Sequence, residues 1–320
     1  MLYRSERKEI NLTITSAKKF VQAAHDGAYA VGGFNTINLE WTQAILRAAQ
    51  KKQAPILLQT SMAPAQYMGG YRTCQRFITS LVEDMRITVP VALHLDHGNY
   101  EAVKECIKIG YSSVMFDGSM LPIEENLSKS AELIELAHAE GVSIECEIGA
   151  IGGSEDGIYG EGKLASIEDA MKMAALGVDF LAIGIGNIHG PYPKDWKGLD
   201  FEHLKKLKQL LPNLPFVLHG ASGIPDEQIK KAITLGVAKI NVNTECHLAF
   251  AEATIDTVHD FERHKTEYLN KKYYDLRTFL RPGFEAIEKT ISERIEVFES
   301  SKYLCEPSAK VRGKQAFVTQ

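Results

Sequence analysis

The feature that most restricts the fold of this chain is an alternation. Short β-branched apolar runs are separated by longer amphipathic stretches, and the pattern recurs eight times. Strand character falls on Ala30–Phe34, Pro55–Gln59, Val89–Leu95, Ser113–Phe116, Val142–Glu147, Phe180–Ile185, Phe216–Leu218 and Ala238–Val242. Helical spacing is carried by Glu40–Lys52, Tyr100–Ile109, Ile123–Glu140, Ile167–Leu176, Phe201–Leu211 and Asp226–Leu235. Gly110, Gly141, Gly177 and Gly236 follow four of these, where a left-handed cap turns a helix toward the next strand. Strands alternating with helices build a parallel sheet covered by helices. Eight such units close on themselves, so the expected fold is α/β, a (β/α)8 TIM barrel with a C-terminal helical arm. An open doubly wound sheet is the alternative. It needs a glycine fingerprint after the first strand, and Gly32-Gly33-Phe34-Asn35 is not one.

One domain is expected over residues 13–300, arm included. The arm comprises a helical His247–His264, a charged, tyrosine-rich Glu267–Tyr274, and a last helix Gly283–Ser300 with Pro282 near its start. Residues 1–12 and 301–320 are expected to be flexible termini. Hydrophobic residues make up 45% of the 320, enough for a large core. The net charge of -5 and pI near 6.1 carry no basic excess for nucleic acid. No apolar run approaches the roughly 18 residues of a membrane span, and MLYRSERKEINL has no signal-peptide core. Cys74, Cys106, Cys146, Cys246 and Cys305 are scattered and form no CxxC pair, which reads as free thiols in a reducing cytoplasm.

Barrel enzymes place their chemistry at the C-terminal ends of strands. Here those ends carry Asn35; Gln59, Thr60 and Ser61; Asp96 and His97; Asp117; Glu147; Asn187 and His189; His219; and Asn241, Asn243 and Thr244. A barrel built only for stability needs no polar group at every strand mouth. A lone histidine is most often a surface or satisfied core residue, and His94, inside the third strand, reads that way. Three at the mouths of strands three, six and seven match the pattern of a catalytic metal site, which typically keeps three protein ligands and one open position. Asp96, beside His97, is either a general acid or base or a partner that orients a ligand. Glycine turns follow two of the histidines, His189-Gly190 and His219-Gly220-Ala221-Ser222-Gly223. With Asn243-Thr244 they mark an anion site by strands seven and eight. The glycine-rich Ala150–Gly162 has the length of a lid, carrying Glu155 and Asp156, or else is a solvated acidic turn.

At these motifs the chain resembles class II, zinc-dependent fructose-1,6-bisphosphate aldolases and their relatives, the tagatose-bisphosphate aldolases. The resemblance runs from about Thr13 to Phe298 through YAVGGFNTINLEWTQAIL, VPVALHLDHG, SVMFDGS, EIGAIGGSED, GIGNIHGPYP, LHGASGIP, AKINVNTE and YYDLRTFLRPG, in order. It implies that His97, His189 and His219 hold a catalytic Zn2+, with Glu147 and Asp117 at an alternative metal position. Asp96 handles the C4 hydroxyl proton, and Glu155 moves the proton on the dihydroxyacetone phosphate carbon. Gly190, Gly220, Ser222 and Thr244 bind a phosphate with Ser61 nearby. Asn35, Asn241 and Asn243 contact substrate, and Arg277 reaches the second phosphate from a partner subunit. A monovalent cation, Na+ or K+, is a further cofactor expectation. The partners implied are a phosphorylated sugar and a second copy, as homodimer or homotetramer, with neither nucleic acid nor membrane.

Departures from the family pattern bear on these roles. Ser154 replaces a glutamate in the lid, and Ala221 replaces a glycine that positive φ would require. Asp275-Leu276-Arg277 stands for Asp-Pro-Arg. Pro193 takes the place of a lysine, which puts a phosphate contact by Lys194 in doubt. Rival readings are a tagatose-bisphosphate aldolase, from which Asn243 tilts away, a Schiff-base barrel aldolase using Lys239, and a non-catalytic barrel serving binding or adhesion.

Overall fold

The computed structural model describes residues 14–155, 158–160, 162–264 and 274–305. Its strands are β1 (Val31–Asn35), β2 (Ile56–Thr60), β3 (Val91–Gly98), β4 (Ser113–Phe116), β5 (Ser143–Ile148), β6 (Gly152–Glu155), β7 (Ile158–Gly160), β8 (Phe180–Ile183), β9 (Ile188–His189), β10 (Phe216–Leu218) and β11 (Val237–Val242). Eight of them close a barrel in the order β1-β11-β10-β8-β5-β4-β3-β2, every pair parallel. The expected TIM barrel is the fold observed.

The strands alternate between two cores. Ile56, Leu58, Leu93, Leu95, Val114 and Ile144 face the helical ring. Val31, Leu57, Ala92, Met115, Phe180 and Val217 point inward and pack on Phe20, Val21 and Ala24 of helix Lys18–Asp26. That helix plugs the lower mouth with apolar side chains. Further along the same inward faces stand Gln59, His94, Asp96, Glu145, Glu147, Lys239 and Asn241, all buried. The period-two pleat thus turns an apolar floor into a polar upper layer, as the strand-end reading requires.

Three features fall outside the sequence expectations. Helices Met62–Tyr67 and Tyr71–Asp84 sit between β2 and β3, separated by Gly69 and Gly70 at positive φ. The glycine-rich stretch after β5 is no irregular loop: β6 and β7 form an antiparallel hairpin, and β6 pairs in parallel with β9, Gly153 opposite His189. The chain after Ser301 also begins differently from the loose tail expected. Lys302–Cys305 forms a short helix, with Tyr303 edge-on to Phe20 at 6.3 Å between ring centroids. The arm's helix Arg281–Phe298 buries Ile287, Ile291, Ile295 and Phe298 and packs on helices Leu39–Lys52 and Thr244–Arg263. No described helix is long and apolar enough to cross a membrane.

Candidate active site

Three strand ends bring His97, His189 and His219 together, with one nitrogen of each within 4.8 Å of the others. His97 reaches this point because β3 loses register against β4 between Leu95 and Gly98. It sits at φ 48°, a conformation that non-glycine residues rarely adopt and that marks functional positions. His97 Nε2 lies 2.9 Å from His219 Nδ1, and its Nδ1 meets Asp117 Oδ2 at 3.0 Å. Burial and the charge on His97 hold His219 well below the ordinary imidazole range, so it stays neutral, the form that ligates. Burial works against charge on His97 as well, but Asp96, Asp117 and Glu147 outweigh it and raise its pKa well above the ordinary value.

The carboxylates divide by partner. Asp96 is buried between two amides: Asn35 Nδ2 donates to Oδ2 at 2.9 Å and Asn241 Nδ2 to Oδ1 at 3.0 Å. Burial pushes its pKa up, yet the charges of His97 and Lys239, with the Asn35 hydrogen bond, bring it well below the usual carboxylate range. Asp117 and Glu147 form a second group with His97 whose ligand atoms lie within 4.8 Å of one another. Burial and the neighbouring Asp117 raise Glu147 well above its ordinary value. Its Oε1 accepts from Ile151 N at 3.3 Å, while Oε2 is buried with no hydrogen-bond partner among the described residues. A divalent cation fits these donors. Imidazole nitrogens converge from three strands, and a buried carboxylate oxygen beside them has no hydrogen-bond partner among the described residues.

A hollow on one side of the histidines is lined by Asn35, Asp96, His189, Gly190, Gly220, Ser222, Asn241, Asn243 and Thr244. Gly190, Gly220 and Gly223 all have positive φ. A Cβ at Gly220 would stand 2.1 Å from Ile188 O, and one at Gly153 2.0 Å from His189 O. Glycine at both positions therefore lets two turns close on the segment that carries His189. Tyr192 ties the same turns together: its hydroxyl donates to Gly220 O at 2.8 Å and accepts from Ile188 N at 3.1 Å. Ser222 Oγ accepts from Glu245 N at 3.2 Å, which leaves its proton for an anion. On the other side of His97 and His189 a cavity of about 750 Å³ opens, with Asp117, Glu147 and Met62, Tyr71 and Met120 among its lining residues.

Other expected site residues are not gathered here. Ser61 is buried at the start of helix Met62–Tyr67 and lines neither cavity. Arg277 lies on the outside of the arm, paired with Asp275 at 2.7 Å and largely exposed. Glu155 ends β6, but its side chain lies outside the described residues, as does all of Asp156. Glu145, by contrast, escapes any reading confined to strand ends. It sits one inward position below Glu147 and bonds His219 Nε2 at 2.7 Å. The two-residue spacing Glu145-Cys146-Glu147 on one strand was its signal.

Residues 15–303 match the profile of the class II fructose-bisphosphate aldolase family. The chain belongs to that family. A fructose-bisphosphate aldolase of Streptococcus pyogenes serotype M1 is 62% identical over 290 residues, which span 91% of this chain and 99% of that protein. One from Ureaplasma parvum serovar 3 is 50% identical over 287 residues, covering 90% of this chain and 97% of its own. The crystal structure of a fructose-bisphosphate aldolase from Campylobacter jejuni superposes with a TM-score of 0.73 at 27% identity, covering 90% of this chain and 96% of that one. Membership in this aldolase family makes the chain a lyase, and it gives the glycine-turn departure a test. Ala221 is tolerated because positive φ falls on Gly220 and Gly223 and not on Ala221.

Proposed function

We propose that this class II aldolase cleaves fructose 1,6-bisphosphate reversibly to dihydroxyacetone phosphate and glyceraldehyde 3-phosphate, with Zn2+ on His97, His189 and His219. It would serve glycolysis and gluconeogenesis in the cytoplasm. The observation that carries the reading is the convergence of three histidine nitrogens beside a carboxylate fixed between two amides. When bound, the metal supplies Lewis-acid polarisation of the substrate's C2 carbonyl. Asp96 takes the C4 hydroxyl proton as the C3–C4 bond breaks, and the electron pair stays on C3. Glu155, on the hairpin, returns a proton to that carbon. Gly190, Gly220, Ser222 and Thr244 hold the proximal phosphate, and Asn35, Asn241 and Asn243 orient the sugar. Asp117 and Glu147 offer a second metal position, and a Na+ or K+ ion is assigned to the same site region.

Imine chemistry through Lys239 is disfavoured. Its Nζ is fully enclosed and bound to Glu145 Oε2 at 2.7 Å, whereas a Schiff-base lysine needs a free amine facing substrate. Tagatose 1,6-bisphosphate remains the second reading. The names of the relatives favour fructose, and Asn243, which tilts the sequence reading the same way, lines the hollow beside Asp96 and Asn241. Purified protein should contain about one zinc per chain and cleave fructose 1,6-bisphosphate with the higher kcat/KM. A higher value for tagatose 1,6-bisphosphate would reverse the assignment.

The enzyme works as a homodimer or homotetramer in this proposal, with Arg277 serving the neighbour's distal phosphate. Its guanidinium faces outward, pre-oriented by Asp275, and the nearby helix Thr244–Arg263 exposes Leu248, Ile255 and Val258 along one stripe. Arg277→Ala should raise KM for the bisphosphate roughly ten- to a hundredfold, the worth of a charged hydrogen bond. Dihydroxyacetone phosphate, lacking the distal phosphate, should bind almost as before. Mixed dimers of Arg277→Ala with His189→Ala subunits should recover part of the activity. Heterodimers that form without recovering any would place Arg277 in its own subunit's service or outside the reaction.

A further inference from the structure

Below the three histidines the barrel interior holds a charged chain to which the proposed chemistry gives no role. Glu145 Oε1 accepts from His219 Nε2 at 2.7 Å, and Oε2 accepts from Lys239 Nζ at 2.7 Å. Lys239 Nζ lies 3.4 Å from His94 Nε2, and His94 Nδ1 meets Ser113 Oγ at 2.8 Å. The side chains of His94, Glu145, His219 and Lys239 are completely enclosed. Branched apolar side chains ordinarily fill this layer of a barrel. Replacing a buried ion pair by apolar residues of similar volume is often neutral or stabilising. Stability alone therefore does not account for a lysine and a glutamate here.

Hydrogen-bond chemistry does account for them. A carboxylate only accepts, so the bond from Glu145 fixes the proton of neutral His219 on Nε2. Nδ1 is then left with its lone pair, and this is the nitrogen that faces the site. His97 Nε2 stands 2.9 Å from it and Asn241 Nδ2 3.2 Å. Lys239 occupies the second carboxylate oxygen and balances its charge, so the carboxylate cannot turn away. His94, its Nδ1 donating to Ser113, presents Nε2 as the acceptor for Lys239. The chain thus runs from Ser113 through His94, Lys239 and Glu145 to His219, and it ends on an imidazole nitrogen aimed at the metal position.

We infer that Glu145, clamped by Lys239, is a positioning residue that holds His219 in the ligating tautomer, an inference that rests on the metal reading of the three histidines. The test is zinc affinity of metal-stripped protein, measured by competition with a chromophoric chelator, together with long-range 1H–15N spectra of the histidines. Wild type should bind zinc and, without metal, show His219 protonated on Nε2. Glu145→Leu with Lys239→Met removes both charges and the acceptor. It should keep the circular dichroism and melting temperature of the metal-free protein while its zinc Kd rises about 10- to 100-fold, the usual loss when such a support is removed. Glu145→Gln with Lys239→Met keeps an amide oxygen for His219 and should recover most of that affinity. A folded apolar pair that binds zinc as tightly as wild type would overturn the role. So would a wild-type spectrum with the proton on Nδ1, which decides the matter even where the apolar pair fails to fold. Wild type that binds no zinc would instead remove the metal reading itself.

Discussion

Stripping the metal, or replacing His189 by alanine, should lower kcat by at least about a thousandfold, since the several kcal/mol of Lewis-acid stabilisation has no substitute among the side chains present. His189 is the ligand to remove first. His219 is enclosed and tied to Glu145, and His97 holds a strained backbone position and a bond to Asp117, so either loss would disturb the barrel as well as the ligand set. His189 is only half-buried, at the rim of both cavities. His189→Ala should therefore fold with a near-normal melting temperature in the metal-free state while metal analysis shows zinc lost. Zinc or cobalt added to stripped wild type should restore cleavage. Full activity in excess chelator, after elemental analysis verifies that no metal remains, would sink the metal mechanism.

Much of this molecule was legible because two periodicities are rigid. A pleat repeats every two residues, so the strand ends could be read as a ring of polar groups, and the barrel places that ring around one mouth. The structure puts three of its histidines together and seats Asp96 between Asn35 and Asn241. What was not legible depends on contacts distant in sequence. Nothing local in Gly152-Gly153-Ser154-Glu155 says that the segment pairs with Ile188–His189 as well as with its own return strand. That pairing matters, because it ties the backbone of the hairpin to the backbone that carries His189. Helix Tyr71–Asp84 is a different case: Tyr71, Cys74, Phe77, Ile78, Leu81 and Val82 form a legible apolar face at helical spacing that the strand-and-helix alternation passed over. Nothing in the sequence around Tyr192 marks it, and only the tertiary fold brings its hydroxyl between Ile188 and Gly220. Arg277 is the opposite case. The single chain leaves it exposed on the arm and paired with Asp275, so the role proposed for it rests on a second copy that the sequence of one chain does not describe.

Asp96→Ala should reduce kcat roughly 10²- to 10⁴-fold, the range for a positioned general acid or base, while zinc content stays near wild type. The geometry separates this role from its rival. An orienting partner would be hydrogen-bonded to a ligand histidine, as Asp117 is to His97 and Glu145 is to His219. The described hydrogen bonds of Asp96 go to Asn35 and Asn241 instead, and both amides hold it facing the hollow that Gly190, Gly220 and Ser222 also line. Positive neighbours keep the carboxylate ionised, the form that can accept a proton, while burial opposes that charge. Alanine is the cleaner replacement. Asparagine would place an amide NH2 against the donor of Asn35 or Asn241 and add a mismatch unrelated to catalysis. Asn35→Ala, which frees one oxygen but keeps the base, should cost less than Asp96→Ala. Comparable loss of zinc in Asp96→Ala and His189→Ala would make Asp96 part of the metal's support and leave the proton to another group.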